Sequence, residues 1–217
     1  MTSNKLLLLI SLFILHVSVI PAQSFDSLAS GMSSERLERY HDFLEGEIAE
    51  NKVPGAVSII YRKGQIAYFE AQGFSNLADK TPMKKDQIFY IQSMTKAVVT
   101  TAFMMLYEEG HFQLDDPVAR YLPQFKDPKV IIDPETGKHG ATEPAKNPIR
   151  IIHLLTHTSG ISHGLTSTKL DIEFTKAVKS PSVKTIEDRV NAIASFPLIG
   201  HPGEQWFYSV SPAVLSL

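Results

Sequence analysis

The sequence contains no cysteine. That excludes disulfides, thiolate zinc sites, a cysteine nucleophile and a lipid-modified cysteine anchor. It also lacks an excess of either charge, with 21 Lys and Arg against 23 Asp and Glu and a net charge of −2. Nucleic-acid-binding domains carry a basic excess, so no nucleic-acid partner is expected. There is no Walker-type glycine loop, no G-x-G-x-x-G and no H-E-x-x-H, so nucleotide cofactors and a zinc-protease site are unsupported. G-x-S-x-G, the nucleophile turn of many α/β hydrolases, is missing too. What is present is a chain of 217 residues, 43% hydrophobic and 20% charged. That length suits one ordinary domain, or a domain with a lobe, and the composition is too apolar for a disordered polymer.

One run is strongly apolar. Lys5 precedes Leu6 to Ile20, broken only by Ser11, His16 and Ser18, and Pro21-Ala22-Gln23 follows with a small residue at a cleavage point. A bilayer core needs about 20 apolar residues, so this run is short for a span. Charge, short apolar core and small-residue boundary read together as a secretory signal peptide over residues 1–23. No later segment is apolar enough to cross a membrane. The expectation is a secreted or periplasmic protein, residues 24–217, with no stable membrane span after signal cleavage.

Along the remainder, Leu37, Tyr40, Leu44 and Ile48 recur at helical spacing and predict a helix over roughly 34–51. Ala56–Tyr61 and Gln65–Ala71 are β-rich runs joined by Arg62-Lys63-Gly64, a hairpin pattern. Ser93 to Glu109 predicts a helix closed by Gly110, and its apolar residues lie on nearly every side, which reads as a buried helix. Leu114-Asp115-Asp116-Pro117 starts a short helix. Residues 126–148, with prolines at 128, 134, 144 and 148, read as a surface loop or small excursion. Ile149–Thr156 is a further helical run with Gly160 as its stop, and 169–195 holds one or two helices broken near Pro181.

The chemistry centres on Ser93-Met94-Thr95-Lys96. Residues i and i+3 share a helix face, so the Lys96 ammonium can reach the Ser93 hydroxyl. A serine is a weak nucleophile until a base takes its proton, and a lysine serves if burial or a neighbouring charge lowers its pKa. A serine at a helix start also sits among free backbone N–H groups that can hold an oxyanion. S-x-x-K alone is a weak signal, because a helix cap followed by a solvated lysine has the same letters.

Longer matches sharpen it. Phe89-Tyr90-Ile91-Gln92-Ser93-Met94-Thr95-Lys96, then Met105 to Gly110 and Leu114 to Val118, resembles the serine β-lactamase-related family, which includes class C β-lactamases, D-Ala-D-Ala carboxypeptidases and β-lactamase-like esterases. Ile149 to Gly160 is similar to a second family signature, and Pro202-Gly203-Glu204-Gln205-Trp206-Phe207-Tyr208-Ser209 to a third. The resemblance covers most of residues 35–217 in order. It implies an α+β fold of the β-lactamase and penicillin-binding-protein transpeptidase type. It further implies Ser93 as the acylated nucleophile, with Lys96 and Tyr208 sharing the proton. Such a site takes a small-molecule or peptidoglycan-like substrate and needs no metal or cofactor.

Two departures matter. Many family members carry asparagine two residues after the tyrosine, where this chain has Val210, which places β-lactamase activity behind esterase activity. The family's Lys-Thr-Gly or His-x-Gly strand lies far downstream of the tyrosine, and residues 209–217 do not contain it. His201-Pro202-Gly203 matches His-x-Gly in letters but precedes the tyrosine in a turn. The expectation is therefore an incomplete fold: an N-terminal helix, a β-hairpin and most of the helical lobe, without the C-terminal strands. A non-catalytic binding or regulatory protein on the same fold stays open as an alternative, as does an inactive fragment. His153 and His157, four apart, and Ser159 read as packed residues supporting the wall of the site.

Overall fold

The structure, a computed structural model, describes residues 30–217. The leader assigned to residues 1–23 lies outside the described residues. The described residues divide into two compact units, 30–90 and 91–217.

In the first unit, helix α1 (Ser34–Ala49) starts where the Ser33 side chain accepts the Arg36 N–H, a standard N-cap. Strands β1 (Gly55–Arg62) and β2 (Gln65–Asn76) pair antiparallel. Their two-residue turn, Lys63-Gly64, has φ of +52° and +76°, the left-handed pair that matches strand twist. A short β3 (Thr81–Pro82) joins the other edge of β2, where the sequence suggests only a polar loop. Helix α1 lies across the hairpin. Tyr40 meets Tyr68 edge-on at 5.7 Å, and Gln72 donates to the His41 carbonyl and to Glu45.

The second unit is built from short elements around one core. Ser93 lies in a 3₁₀ turn (Gln92–Met94) that runs into α2 (Thr95–Glu108). A second 3₁₀ turn, Val118–Arg120, follows Pro117 in place of the expected short helix. The excursion holds a small antiparallel pair, β4 (Lys129–Ile131) and β5 (Thr142–Pro144), and Val130 and Ile131 are buried. Three helices follow: α3 (Ile151–Leu155), α4 (Lys169–Val178) and α5 (Ile186–Ala194). A final turn, α6 (Ser211–Val214), comes after the Tyr208 segment. Phe125, Ile149, Leu154, Phe174, Val190, Ile193 and Val214 form the centre of the core.

The structure corrects the expectation that α2 is buried. None of its residues is buried, and Val98 and Met105 are 63% and 58% exposed. Only the stripe Val99, Phe103 and Tyr107 packs on the core, at the four-residue spacing of one helix face. An apolar pattern on all sides shows that any face could be buried; it does not say how many are. A second correction concerns Gly160. Helix α3 ends at Leu155 with Thr156 as its cap, so Gly160 is not its stop. Gly160 adopts φ +77°, and a Cβ there would lie 2.0 Å from the Gly200 carbonyl oxygen. It is glycine because two backbones touch there.

Candidate active site

The 3₁₀ turn places Ser93 one residue after Gln92, which has φ +50°. A left-handed non-glycine residue is strained by about 1–3 kcal/mol and persists only where its surroundings impose it. The turn continues directly into α2, so Lys96 follows Ser93 by one helical step. The expected contact is present: Lys96 Nζ donates to Ser93 Oγ at 3.2 Å. Ser93 is exposed and Lys96 half-buried, so the hydroxyl is open to a reactant while the cation is partly shielded.

Tyr208 arrives from 115 residues away in sequence to meet this pair. The Lys96 ammonium stands 4.8 Å from the centre of its ring. Polar interaction with Ser93 and with Lys96 holds the pKa of the Tyr208 hydroxyl below that of a free tyrosine. Ser93 is the larger influence and Lys96 the next; lost solvent opposes them, and the charge of Lys96 adds a last, smaller push downward. Serine, lysine and tyrosine, the three residues singled out from sequence, are thus brought to one point.

Tyr208 belongs to no helix or strand. Its position comes from a second segment, 157–160, which lies alongside 199–211. The Phe207 N–H donates to the His157 carbonyl (2.8 Å), the Gly203 N–H to that of Thr158 (2.8 Å) and the Ile199 N–H to that of Gly160 (2.7 Å). Below them three buried serines form a chain of hydroxyls, Ser159 to Ser211 at 2.6 Å and Ser211 to Ser209 at 2.5 Å. Ser159 is therefore a structural contact, as its place in the sequence suggests.

His153 and His157 do not share a helix face, because α3 ends between them and His157 has φ +58°. Each uses its Nδ1 to accept a backbone N–H, from Arg150 at 3.2 Å and from Ser209 at 3.1 Å. Among the described residues no group of three or more metal-ligating side chains occurs.

Two residues at the site escape sequence reasoning. The ring of His163 meets that of Tyr208 edge-on at 5.5 Å, and the ring of His157 is 4.8 Å from the same ring. Burial, above all, holds both histidines below the ordinary histidine pKa, and Lys96 pushes each in the same direction. The loop bearing His163 is organised by Asp171, which is 3% exposed. Its carboxylate accepts from the Ser162 hydroxyl, the Thr166 hydroxyl and the Thr166 N–H, the last at 2.9 Å. Thr168-x-x-Asp171 has the letters of a helix N-terminal box, a signal that was available in the sequence. Trp206 completes an aromatic rim 6.5 Å from the Tyr208 ring and is 66% exposed.

A serine hydroxyl held by a lysine three residues on, with a distant tyrosine beside that lysine, in a mixed helix and strand scaffold, defines part of the serine β-lactamase and penicillin-binding-protein fold. Comparison with known proteins agrees. The family model described as Beta-lactamase matches residues 40–215, and the chain belongs to that family. Esterase EstB of Burkholderia gladioli is 31% identical over 199 residues, covering 89% of this chain and 47% of EstB. Acyltransferase calJ of Penicillium decumbens is 33% identical over 152 residues, covering 68% of this chain and 35% of that protein. Among solved structures, EstCE1, described as a hydrolase with promiscuous acyltransferase activity, superimposes with a TM-score of 0.70 at 28% identity, over 87% of this chain and 46% of its own. The chain spans about half the length of EstB, and less of calJ.

Proposed function

We propose that the protein is an exported serine hydrolase that works through an acyl-enzyme, and that esters are its preferred substrates. The observation that carries this reading is the 3.2 Å contact between Lys96 Nζ and Ser93 Oγ, with the same ammonium 4.8 Å from the centre of the Tyr208 ring. Ser93 Oγ attacks the carbonyl carbon while its proton passes to the Tyr208 oxygen, which the Lys96 cation helps keep anionic. Collapse of the tetrahedral intermediate expels the alcohol, which takes the proton from Tyr208, and leaves Ser93 acylated. Water then attacks the acyl carbonyl as its proton passes to the Tyr208 oxygen; collapse of this second intermediate breaks the bond between Ser93 Oγ and the acyl carbon, Ser93 Oγ takes that proton back from Tyr208, and the acid is released. An alcohol entering in place of water gives acyl transfer by the same steps.

Three considerations favour esters over β-lactams or D-Ala-D-Ala peptides. Val210 stands where many family members place a substrate-holding asparagine. The similar proteins include an esterase, EstB, and a hydrolase with acyltransferase activity, EstCE1. The rim beside Tyr208 is aromatic and suits an apolar acyl or aryl group. Export rests on the leader over residues 1–23. Among the described residues no helix is long and apolar enough to cross a membrane.

The test is covalent labelling with a fluorophosphonate, read by intact mass, beside hydrolysis of a p-nitrophenyl ester. Labelling and turnover should both vanish in Ser93→Ala. Equal labelling of wild type and Ser93→Ala would overturn the assignment of the nucleophile. Fusing residues 1–23 to a reporter enzyme tests export, and a reporter retained with the cytosolic fraction would refute it.

A further inference from the structure

Tyr208 has no regular secondary structure to hold it, yet both amides that flank it are bound by one residue. The carbonyl of His157 accepts the Phe207 N–H at 2.8 Å and its Nδ1 accepts the Ser209 N–H at 3.1 Å. Both bonds require the left-handed backbone of His157, φ +58°, which turns its carbonyl and its ring toward the same strand of chain. The ring then lies 4.8 Å from that of Tyr208. We propose that His157 is the positioning residue for Tyr208, that it works only as a neutral acceptor, and that protonating it releases the tyrosine from Ser93 and Lys96. The inference rests on the reading of Tyr208 as the proton-transferring group.

The chemistry is specific to the nitrogen. A neutral imidazole has one acceptor nitrogen, and Nδ1 fills that role, so the proton of the neutral ring sits on Nε2. The imidazolium has no acceptor, so Nδ1–H would point at the Ser209 N–H and one of them must turn away. The titratable groups facing the ring are Lys96 from α2, His163 from the loop before α4, and Tyr208 itself. Burial first, then the charge of Lys96 and that of His163, all oppose a positive charge on His157 and favour its neutral form. Sliding the tyrosine by about 1 Å is enough to cost on the order of 100-fold in turnover.

Two substitutions separate the acceptor from its charge. In His157→Asn the Oδ1 atom replaces Nδ1 as acceptor, and asparagine tolerates the left-handed backbone. It cannot take up a proton. His157→Leu removes the acceptor. With the full chain and a p-nitrophenyl ester, kcat should fall by about 100-fold in His157→Leu and by only a few-fold in His157→Asn, with KM moving less than kcat in both. In the wild type, log kcat/KM should steepen at low pH from the slope of one proton to that of two. His157→Asn should keep the single-proton slope throughout. Equal losses in the two variants, or an unaltered low-pH slope in His157→Asn, would overturn the proposal. Hydrogen exchange at the Ser209 amide supplies a readout that needs no catalysis. Protection should be present near neutral pH, lost on acidification, kept in His157→Asn and lost in His157→Leu. If the wild type shows this exchange pattern but no Ser93-dependent turnover, the hydrolase reading fails while the clamp stands. If turnover is present and the Ser209 amide is unprotected, the clamp fails alone.

Discussion

Removing the carboxylate of Asp171 is the most demanding check on how the site is supported. Asp171 sits in the first turn of α4, 3% exposed, and accepts three bonds from residues 162–166. In Asp171→Ala each of those donors loses a charged acceptor, at about 1–3 kcal/mol apiece. The losses are not equal. The Thr166 hydroxyl can turn to Thr168 Oγ1 at 3.1 Å, and the Ser162 hydroxyl still accepts the Gly164 N–H. The Thr166 N–H has no rotor and bears the full loss. Two losses at the low end and one at the high end give about 5 kcal/mol, which for a chain of this size lowers Tm by about 10–20 °C. The assay is urea unfolding followed by near-ultraviolet circular dichroism. Asp171→Asn should fall between wild type and Ala, because its amide N–H₂ opposes a donor on one side. Asp188, the corresponding residue of α5, caps an accessible helix start, so Asp188→Ala should cost much less. Since residues 162–168 carry His163 against Tyr208, Asp171→Ala should also slow ester turnover. A loss of stability under about 1 kcal/mol would refute the reasoning, because three buried donors would then have found other partners at no cost.

Gly160→Ala should be as damaging for a different reason, since its Cβ would lie 2.0 Å from a backbone oxygen on a left-handed backbone; a Tm equal to wild type would count against the packing described. The Tyr208 phenol should ionise below the pH typical of tyrosine, first because of Ser93 and then because of Lys96. Ultraviolet difference titration should show Ser93→Ala and Lys96→Met each moving that ionisation upward, and no movement in either would remove the electrostatic argument. His153, His157 and His163 all have depressed pKa values through burial. The unfolded chain therefore binds protons more readily than the folded one, and the urea midpoint should drop as pH falls below about 6.5. Above that pH the histidines should contribute no slope, so a midpoint that is flat across the histidine range would contradict it.

Local features were readable in the sequence where the physics is local. The Lys63-Gly64 turn, the Ser93 to Lys96 step and the stop at Gly110 need only the backbone preferences of a few residues. Tyr208 could be placed only because longer motifs resembled a family; the letters Trp206-Phe207-Tyr208 by themselves read as core. The rest depends on long-range packing. The exposed sides of α2 carry the same residues as its packed stripe, so composition cannot rank them. His163 and Asp171 act through a loop whose shape is decided by contacts between residues 162–166 and α4. Gly160 reads as a helix stop until the chain at Gly200 is seen to pass against it.

The pairing of residues 157–160 with 199–207 has a consequence for how such chains can vary in length. Its bonds run from main chain to main chain and span only the two short segments, while everything from 161 to 198 loops out and returns. The far ends of that excursion, the loop between α4 and α5 above all, can therefore change in length without altering these bonds, provided Asp171 and the buried faces of the two helices keep their places. One residue added between Gly203 and Phe207 has no such freedom. It would put Phe207 where Tyr208 now stands and leave the Ser93 hydroxyl facing a ring with no hydroxyl.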